Sequence, residues 1–181
     1  MQQPIVISGA GILGCYISCA LSFQGIDSII LEKKDDEVED SVRTITLNPF
    51  SKNLLDKIGV EIDYSMINKM EVKDFDGTGK IVFKSSEIGM DHLAYVSDFA
   101  TLLMAVRKKA SEKILYKEEI IDIDKKGDLN EVTLSSGKVI KTNLIISSDG
   151  KNSKLANKIP KSDKDYFQTA LTFLASAEKD M

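Results

Sequence analysis

The stretch Ile5-Val-Ile-Ser-Gly9-Ala-Gly11-Ile-Leu-Gly14 constrains this chain more than any other. A β-branched run leads into three closely spaced glycines. Apolar residues at helical spacing follow at once: Ile12, Leu13, Tyr16, Ile17, Ala20 and Leu21. Strand, glycine turn and helix in this order open a βαβ unit that receives a dinucleotide diphosphate. Gly9 permits the sharp turn, Gly11 leaves the backbone bare to phosphate oxygens, and Gly14 lets the helix lie close to the strand. The amides at the helix start, Ile12 and Leu13 among them, then face the anion.

The chain has 181 residues, 43% of them hydrophobic and 29% charged, within the range of an ordinary globular domain. Its formal net charge is −4 and no basic stripe stands out, so no nucleic-acid partner is expected. One histidine (His92) and two cysteines (Cys15, Cys19) offer neither a disulfide framework nor a metal-ligand pattern. Residues 1–26 lack any charged side chain, but Pro4 and the glycines interrupt the apolar run and no basic segment precedes it. A buried first strand and helix explain that lack better than a leader or a span. The expected location is the cytoplasm.

Further along, Ser28–Leu31 reads as a second strand ending in Glu32, with Gly25 stopping the first helix and a solvated charged loop over 32–40. A helix is expected from Pro49 to Ile58, ending at Gly59. Met70–Phe75 and Lys80–Phe83 flank Asp76-Gly-Thr-Gly79, a hairpin signal. Leu93–Val96 reads as a strand, and Asp98 as the N-cap of a helix to about Ser111. Lys113–Tyr116 fits a short parallel strand, and 119–124, 130–135 and 138–142 fit a meander. Asn143–Ser147 is an apolar run entering Asp149-Gly150. Residues 158–165 read as a linker and Tyr166–Ser176 as the start of another strand.

Glu32 falls 18 residues after Gly14, near the spacing of a carboxylate that accepts hydrogen bonds from ribose hydroxyls. A carboxylate there favours an unphosphorylated adenosine ribose, as in FAD or NAD. An NAD-type unit would continue with another helix and parallel strand. Here a loop with Arg43, a helix, a hairpin and a meander intervene, which suits a flavoprotein.

These residues carry a family resemblance. The glycine turn, Glu32, Ser41-Val-Arg43-Thr-Ile-Thr-Leu47 and Ile145-Ile-Ser-Ser-Asp149-Gly150-Lys-Asn-Ser153 resemble the FAD-dependent aromatic hydroxylases of the para-hydroxybenzoate hydroxylase fold. The ubiquinone-biosynthesis hydroxylases are the most similar among them. Phe167-Gln-Thr-Ala170 resembles the family's crossing into its substrate domain. The resemblance spans essentially this whole chain but only the N-terminal part of the family's pattern. It implies an α/β fold: a Rossmann-like FAD-binding domain with a parallel sheet and a β-meander, plus an incomplete antiparallel substrate-domain portion. Residues 1–68 and 98–158 would form the FAD-binding domain and 69–97 and 159–181 the partial substrate domain.

The resemblance further implies that Gly9, Gly11, Ile12, Leu13, Gly14, Glu32, Lys33, Arg43, Asp149 and Gly150 bind FAD, and that NAD(P)H donates electrons. O2 would then serve to hydroxylate a polyprenylated phenol ring, with peripheral contact at the inner membrane for a lipid-tailed substrate. No residue is assigned as catalytic. The family's arginine three positions after the motif serine is here Ala156, and Ser97-Asp98-Phe99 replaces its usual polar group at the helix start. The later Gly-Asp motif has no counterpart in these 181 residues.

Two alternatives stay open. One is a truncated or split-gene product that binds FAD weakly or not at all, inactive alone, with the C-terminal half on another chain. The other is a related flavin reductase or halogenase. Cys15 and Cys19 share one helix face, with Cys15 near enough to the helix start for some thiolate stabilisation, although small buried hydrophobes are the preferred reading. Met66, Met70, Met90 and Met104 read as core filler, and Tyr95 and Tyr116 as packing residues.

Overall fold

The structure is a computed structural model that describes residues 3–38, 42–74, 77–150, 153, 155 and 164–169. Its centre is a parallel sheet with strand order β12-β1-β2-β8: β1 (Ile5–Ser8), β2 (Ser28–Glu32), β8 (Ile114–Tyr116) and β12 (Ile145–Ser147). Both faces of this sheet are covered, which is why its strands are continuous apolar runs rather than alternating ones. Ile7 and Ile30 point to the helical side, and Val6 and Leu31 to the other. Full burial of side chains such as these stabilises the fold by about 1.5–3 kcal/mol each.

The helical side carries α1 (Ile12–Phe23), α2 (Pro49–Lys57) and α3 (Phe99–Ala110). A buried Ser18–Ser28 hydroxyl pair at 2.8 Å ties α1 to β2. Asn48 accepts from the Ser51 amide at 2.7 Å with Pro49 following it, and Asp98 accepts from the Thr101 amide at 2.8 Å. These caps fix the starts of α2 and α3 as the sequence predicts. The opposite side carries the meander β9 (Ile120–Lys126), β10 (Leu129–Leu134) and β11 (Val139–Thr142), whose Ile120, Val132, Leu134 and Ile140 pack onto Val6 and Leu31.

Away from the central sheet, β3 (Thr44–Leu47), β7 (Ala94–Asp98) and β4 (Ser65–Ile67) form an antiparallel sheet in the order β3-β7-β4. A separate ribbon joins β5 (Lys69–Lys73) to β6 (Lys80–Lys84). Its registers Met70↔Phe83 and Val72↔Ile81 place four apolar side chains on one face, all exposed. The other face carries Glu71 bound to Lys69 at 2.6 Å and Lys80 at 3.1 Å.

Two expectations need correcting. Met66, Met70, Met90 and Met104 are exposed, not core filler; among the described residues nothing packs over Met66 and Met70 on their strands, and Met104 lies on the outer face of α3. Residues 166–169 have no regular secondary structure, so the strand expected from Tyr166 does not begin there. Residues 170–176 and Ala156 lie outside the described residues, as do most of the expected 158–165 linker and Ser41 of the arginine segment. Tyr95 does pack at the core's edge, edge-on to Tyr64 and His92.

Candidate functional site: a glycine-lined cleft at the ends of the parallel strands

The C-terminal ends of β1, β2 and β12 open into one cleft of about 310 Å³. Strand ends of an open parallel sheet are the usual ligand position in α/β folds. Of the residues expected from the sequence, Gly9, Gly11, Glu32, Lys33, Asp149 and Gly150 line this cleft. A larger depression of about 650 Å³ lies between α1 and α3 around Cys19 and Lys109, but no motif residue borders it.

The three glycines answer to three different demands. Gly9 has φ +101, and a Cβ there would lie 2.7 Å from Cα of Asp149 and 2.8 Å from the carbonyl oxygen of Ser148. A Cβ on Gly14 would overlap the carbonyl oxygen of Gly9 and lie 2.6 Å from Oγ of Ser148. Both positions are therefore closed by the protein itself. Gly11 differs: its backbone is extended (φ −74, ψ 177) and its nearest would-be neighbour is Ser148 O at 3.9 Å. Among the described residues neither strain nor crowding requires glycine at 11. A side chain there would occupy the cleft, so a ligand lying against the backbone is what glycine accommodates.

Gly11 is also the N-cap of α1, and the first intrahelical bond runs from the Cys15 amide to Gly11 O at 3.0 Å. The amides of Ile12, Leu13 and Gly14 precede it and have no partner within the helix. The first turn carries no acidic side chain, so the positive end of the helix is not neutralised from within it. These features together fit a diphosphate. Leu13 itself is exposed and Ile12 half-buried; neither side chain lines the cleft.

Glu32 ends β2 with its side chain turned back to the turn. Oε2 accepts from the Ala10 amide at 2.9 Å and Oε1 from the Lys34 amide at 3.0 Å. From α3, Arg107 reaches the same place: Nε donates to Ala10 O at 2.9 Å and a terminal nitrogen lies 3.7 Å from Glu32 Oε2. Arg107 is only 9% exposed. It is absent from the sequence expectations. The signal that could have found it is its position four residues after Leu103 and one after Val106, on the buried stripe of α3.

On the third side, Ser148 Oγ donates to Ser8 O at 2.9 Å and Gly9 O at 3.1 Å, locking the Asp149-Gly150 turn against the glycine turn. Ser147 Oγ donates to Asp149 Oδ1 at 2.7 Å and pairs with the buried Ser153 hydroxyl at 2.8 Å. Arg43 stands elsewhere. Its guanidinium lies 4.2 Å from the centre of the Phe99 ring, and it does not line this cleft.

Burial pushes the Cys15 thiol from 9.0 up to about 12, against a smaller lowering by Arg107. Desolvation outweighs the helix start, so the preferred reading of Cys15 as a small buried hydrophobe holds and no thiolate is stabilised there. Burial and then a hydrogen bond to Asp36 push the Tyr116 phenol from 10.0 up to about 12. Among the described residues no group of His, Cys, Asp and Glu could hold a metal ion, and no helix is long and apolar enough to cross a membrane.

Comparison with known proteins agrees with this geometry. Residues 2–176 match the FAD binding domain family, and the chain belongs to that family. It is 26% identical to the mitochondrial ubiquinone biosynthesis monooxygenase COQ6 of Danio rerio, over 92% of this chain and 40% of that protein. It is also 26% identical to the 3-demethoxyubiquinol 3-hydroxylase of Escherichia coli, over 85% of this chain and 43% of that protein. Among solved structures, 2,6-dihydroxypyridine-3-hydroxylase from Arthrobacter nicotinovorans superposes with a TM-score of 0.68 at 17% identity, over 87% of this chain and 39% of the other. The p-nitrophenol 4-monooxygenase PnpA of Pseudomonas putida gives 0.70 at 16%, over 87% and 43%. The α/β fold is that of FAD-dependent monooxygenases, with the expected parallel sheet and meander. The chain spans about two-fifths of the length of the curated relatives it matches.

Proposed function

We propose that this chain holds FAD in the cleft between β1, β2 and β12 and works as the flavin-binding part of a monooxygenase of the ubiquinone-biosynthesis type. The observation that carries the reading is Gly11, a glycine that nothing among the described residues requires, at the start of a helix whose first turn carries no acidic side chain. In this reading the amides of Ile12, Leu13 and Gly14 receive the diphosphate, Glu32 accepts from the adenosine ribose, and Lys33, Asp149 and Gly150 border the cofactor. Arg43 borders the flavin side beyond the cleft. Residues 1–68 and 98–158 make up the FAD-binding part, and 69–97 with 159–181 begin the part that faces the substrate.

When bound, the flavin supplies the redox and oxygen chemistry. The protein's part is to orient it and keep water from it. NAD(P)H would be the electron donor and a polyprenylated phenol the substrate, met at a membrane surface because of its lipid tail. The names and likeness of the relatives support this assignment. The test is the visible spectrum of the purified chain with FAD, followed by NADH and NADPH consumption with a short-chain prenylphenol. Bound flavin and phenol-stimulated oxidation support the reading; a cleft with no FAD affinity ends it.

The exposed apolar face of the β5–β6 ribbon favours a second reading of the same fold. An isolated two-stranded ribbon is marginal in water, and such a face is stable when something packs on it. In this version the chain binds FAD weakly and becomes active only with a second polypeptide carrying further substrate-domain strands. Flavin binding without turnover, restored by co-expression with the C-terminal portion of a relative, distinguishes it.

A further inference from the structure

Two charged side chains grip one peptide unit on either side of Ala10. Glu32 Oε2 takes its N–H and Arg107 Nε gives to its C=O, each at 2.9 Å. The pair then closes on itself, Arg107 to Glu32 Oε2 at 3.7 Å. Ala10 lies between Gly9 and Gly11, so this ring spans the turn, the end of β2 and the last part of α3. Ala10 is itself fully buried.

The carboxylate has about four acceptor positions. Oε2 gives one to the Ala10 amide and Oε1 gives one to the Lys34 amide, while Arg107 stands 3.7 Å from Oε2 as an ion-pair partner without a hydrogen bond. One position on each oxygen is left for a ligand. The Arg107 guanidinium also lies 5.8 Å from the centre of the Tyr116 ring, a contact that leaves one of its donors without a partner. Arg107 is 9% exposed, and its Nη1 is buried with no hydrogen-bond partner among the described residues. A buried donor left unpaired is a cost that an aliphatic residue would avoid.

We infer that Arg107 is a positioning residue for cofactor binding. It holds the Glu32 carboxylate by an ion pair and fixes the Ala10 carbonyl by a hydrogen bond, so that the free oxygen lone pairs are presented to the ribose hydroxyls of an adenosine dinucleotide in one orientation. This rests on the FAD reading above. Arg107 also borders the cleft; the role inferred for it is the one it exerts through Glu32. Lysine keeps the charge but lacks the planar fork that serves Ala10 and Glu32 together.

The test is a cycle of full-length variants, with FAD affinity read from flavin fluorescence quenching and thermal unfolding without FAD as the folding control. Arg107→Met is expected to weaken FAD binding on the order of tenfold while remaining folded. Arg107→Lys should recover part of that loss. Glu32→Gln with Arg107→Met should bind no more weakly than Glu32→Gln alone, because the one residue works through the other. Parental affinity in Arg107→Met, or losses that multiply in the double variant, overturns the inference and leaves the FAD reading intact. Should Arg107→Met not fold, parental affinity in Arg107→Lys overturns it equally. A parent chain with no FAD affinity overturns both.

Discussion

The Cβ that Gly9 lacks would stand 2.7 Å from Cα of Asp149, so the two motif turns of this chain touch backbone to backbone. The contact joins residues far apart in sequence, and Ser148 fastens it through its hydroxyl to Ser8 O and Gly9 O. Gly9 also has φ +101, which L residues rarely adopt. Gly9→Ala is therefore expected to cost about 2 kcal/mol or more of stability, from strain and backbone collision together. Urea unfolding of the two proteins measures it; an unchanged midpoint would show that the two turns can separate freely.

Gly11→Ala should do the reverse. Its backbone suits alanine and the added methyl meets only Ser148 O at 3.9 Å. Stability should stay within about 0.5 kcal/mol of the parent, as for a surface substitution. The methyl would stand where the diphosphate is to lie, so FAD affinity should fall by tenfold or more. Calorimetric titration with FAD beside a denaturation curve separates the two effects.

These glycines also show what the sequence makes legible. The β1–turn–α1 order and the spacing to Glu32 locate the cleft, because strand, turn and helix are adjacent in sequence and each has a local signal. Arg107 has no such signal. Basic residues suit the last turn of a helix, and Lys108 and Lys109 beside it are ordinary in that respect. Its burial depends on α3 packing against α1 and reaching the turn at Ala10, a tertiary fact. Arg43 illustrates the opposite case: the motif names the residue, but only the fold shows it stacked on Phe99. The exposed methionines are a third. Alternation in β5 and β6 says which face is apolar but not whether anything covers it.

Alkaline pH offers a check on the buried thiol. In the folded chain Cys15 ionises only near 12, against 9.0 when solvated, and Tyr116 near 12 against 10.0. Both groups hold their protons more tightly when folded. Their contribution is fully present below about pH 9 and is lost as pH rises from there towards 12. Thermal midpoints should hold steady to pH 9 and then fall. Cys15→Ala should flatten the first part of that fall, between 9 and 10, where Tyr116 does not yet contribute. A parent and variant with superimposable profiles would show Cys15 to be solvated. Native Cys15 should also resist iodoacetamide at pH 8 and react on unfolding.

The β5–β6 ribbon gives the last prediction. Met70, Val72, Ile81 and Phe83 share its apolar face and are exposed. On the opposite face Lys69 and Lys80 hold the Glu71 carboxyl down to about 2. Because nothing among the described residues packs on the apolar face, replacing Ile81 and Phe83 by threonine removes few contacts, and threonine suits a strand. Stability should change by less than about 0.5 kcal/mol per site. Binding of the dye ANS and concentration-dependent association should both drop, since an exposed apolar strand face invites pairing with another chain. Light scattering across a dilution series measures the second effect. A loss of stability well beyond that bound would mean that another part of the chain covers the ribbon, and the reading in which a second polypeptide packs there would fall with it.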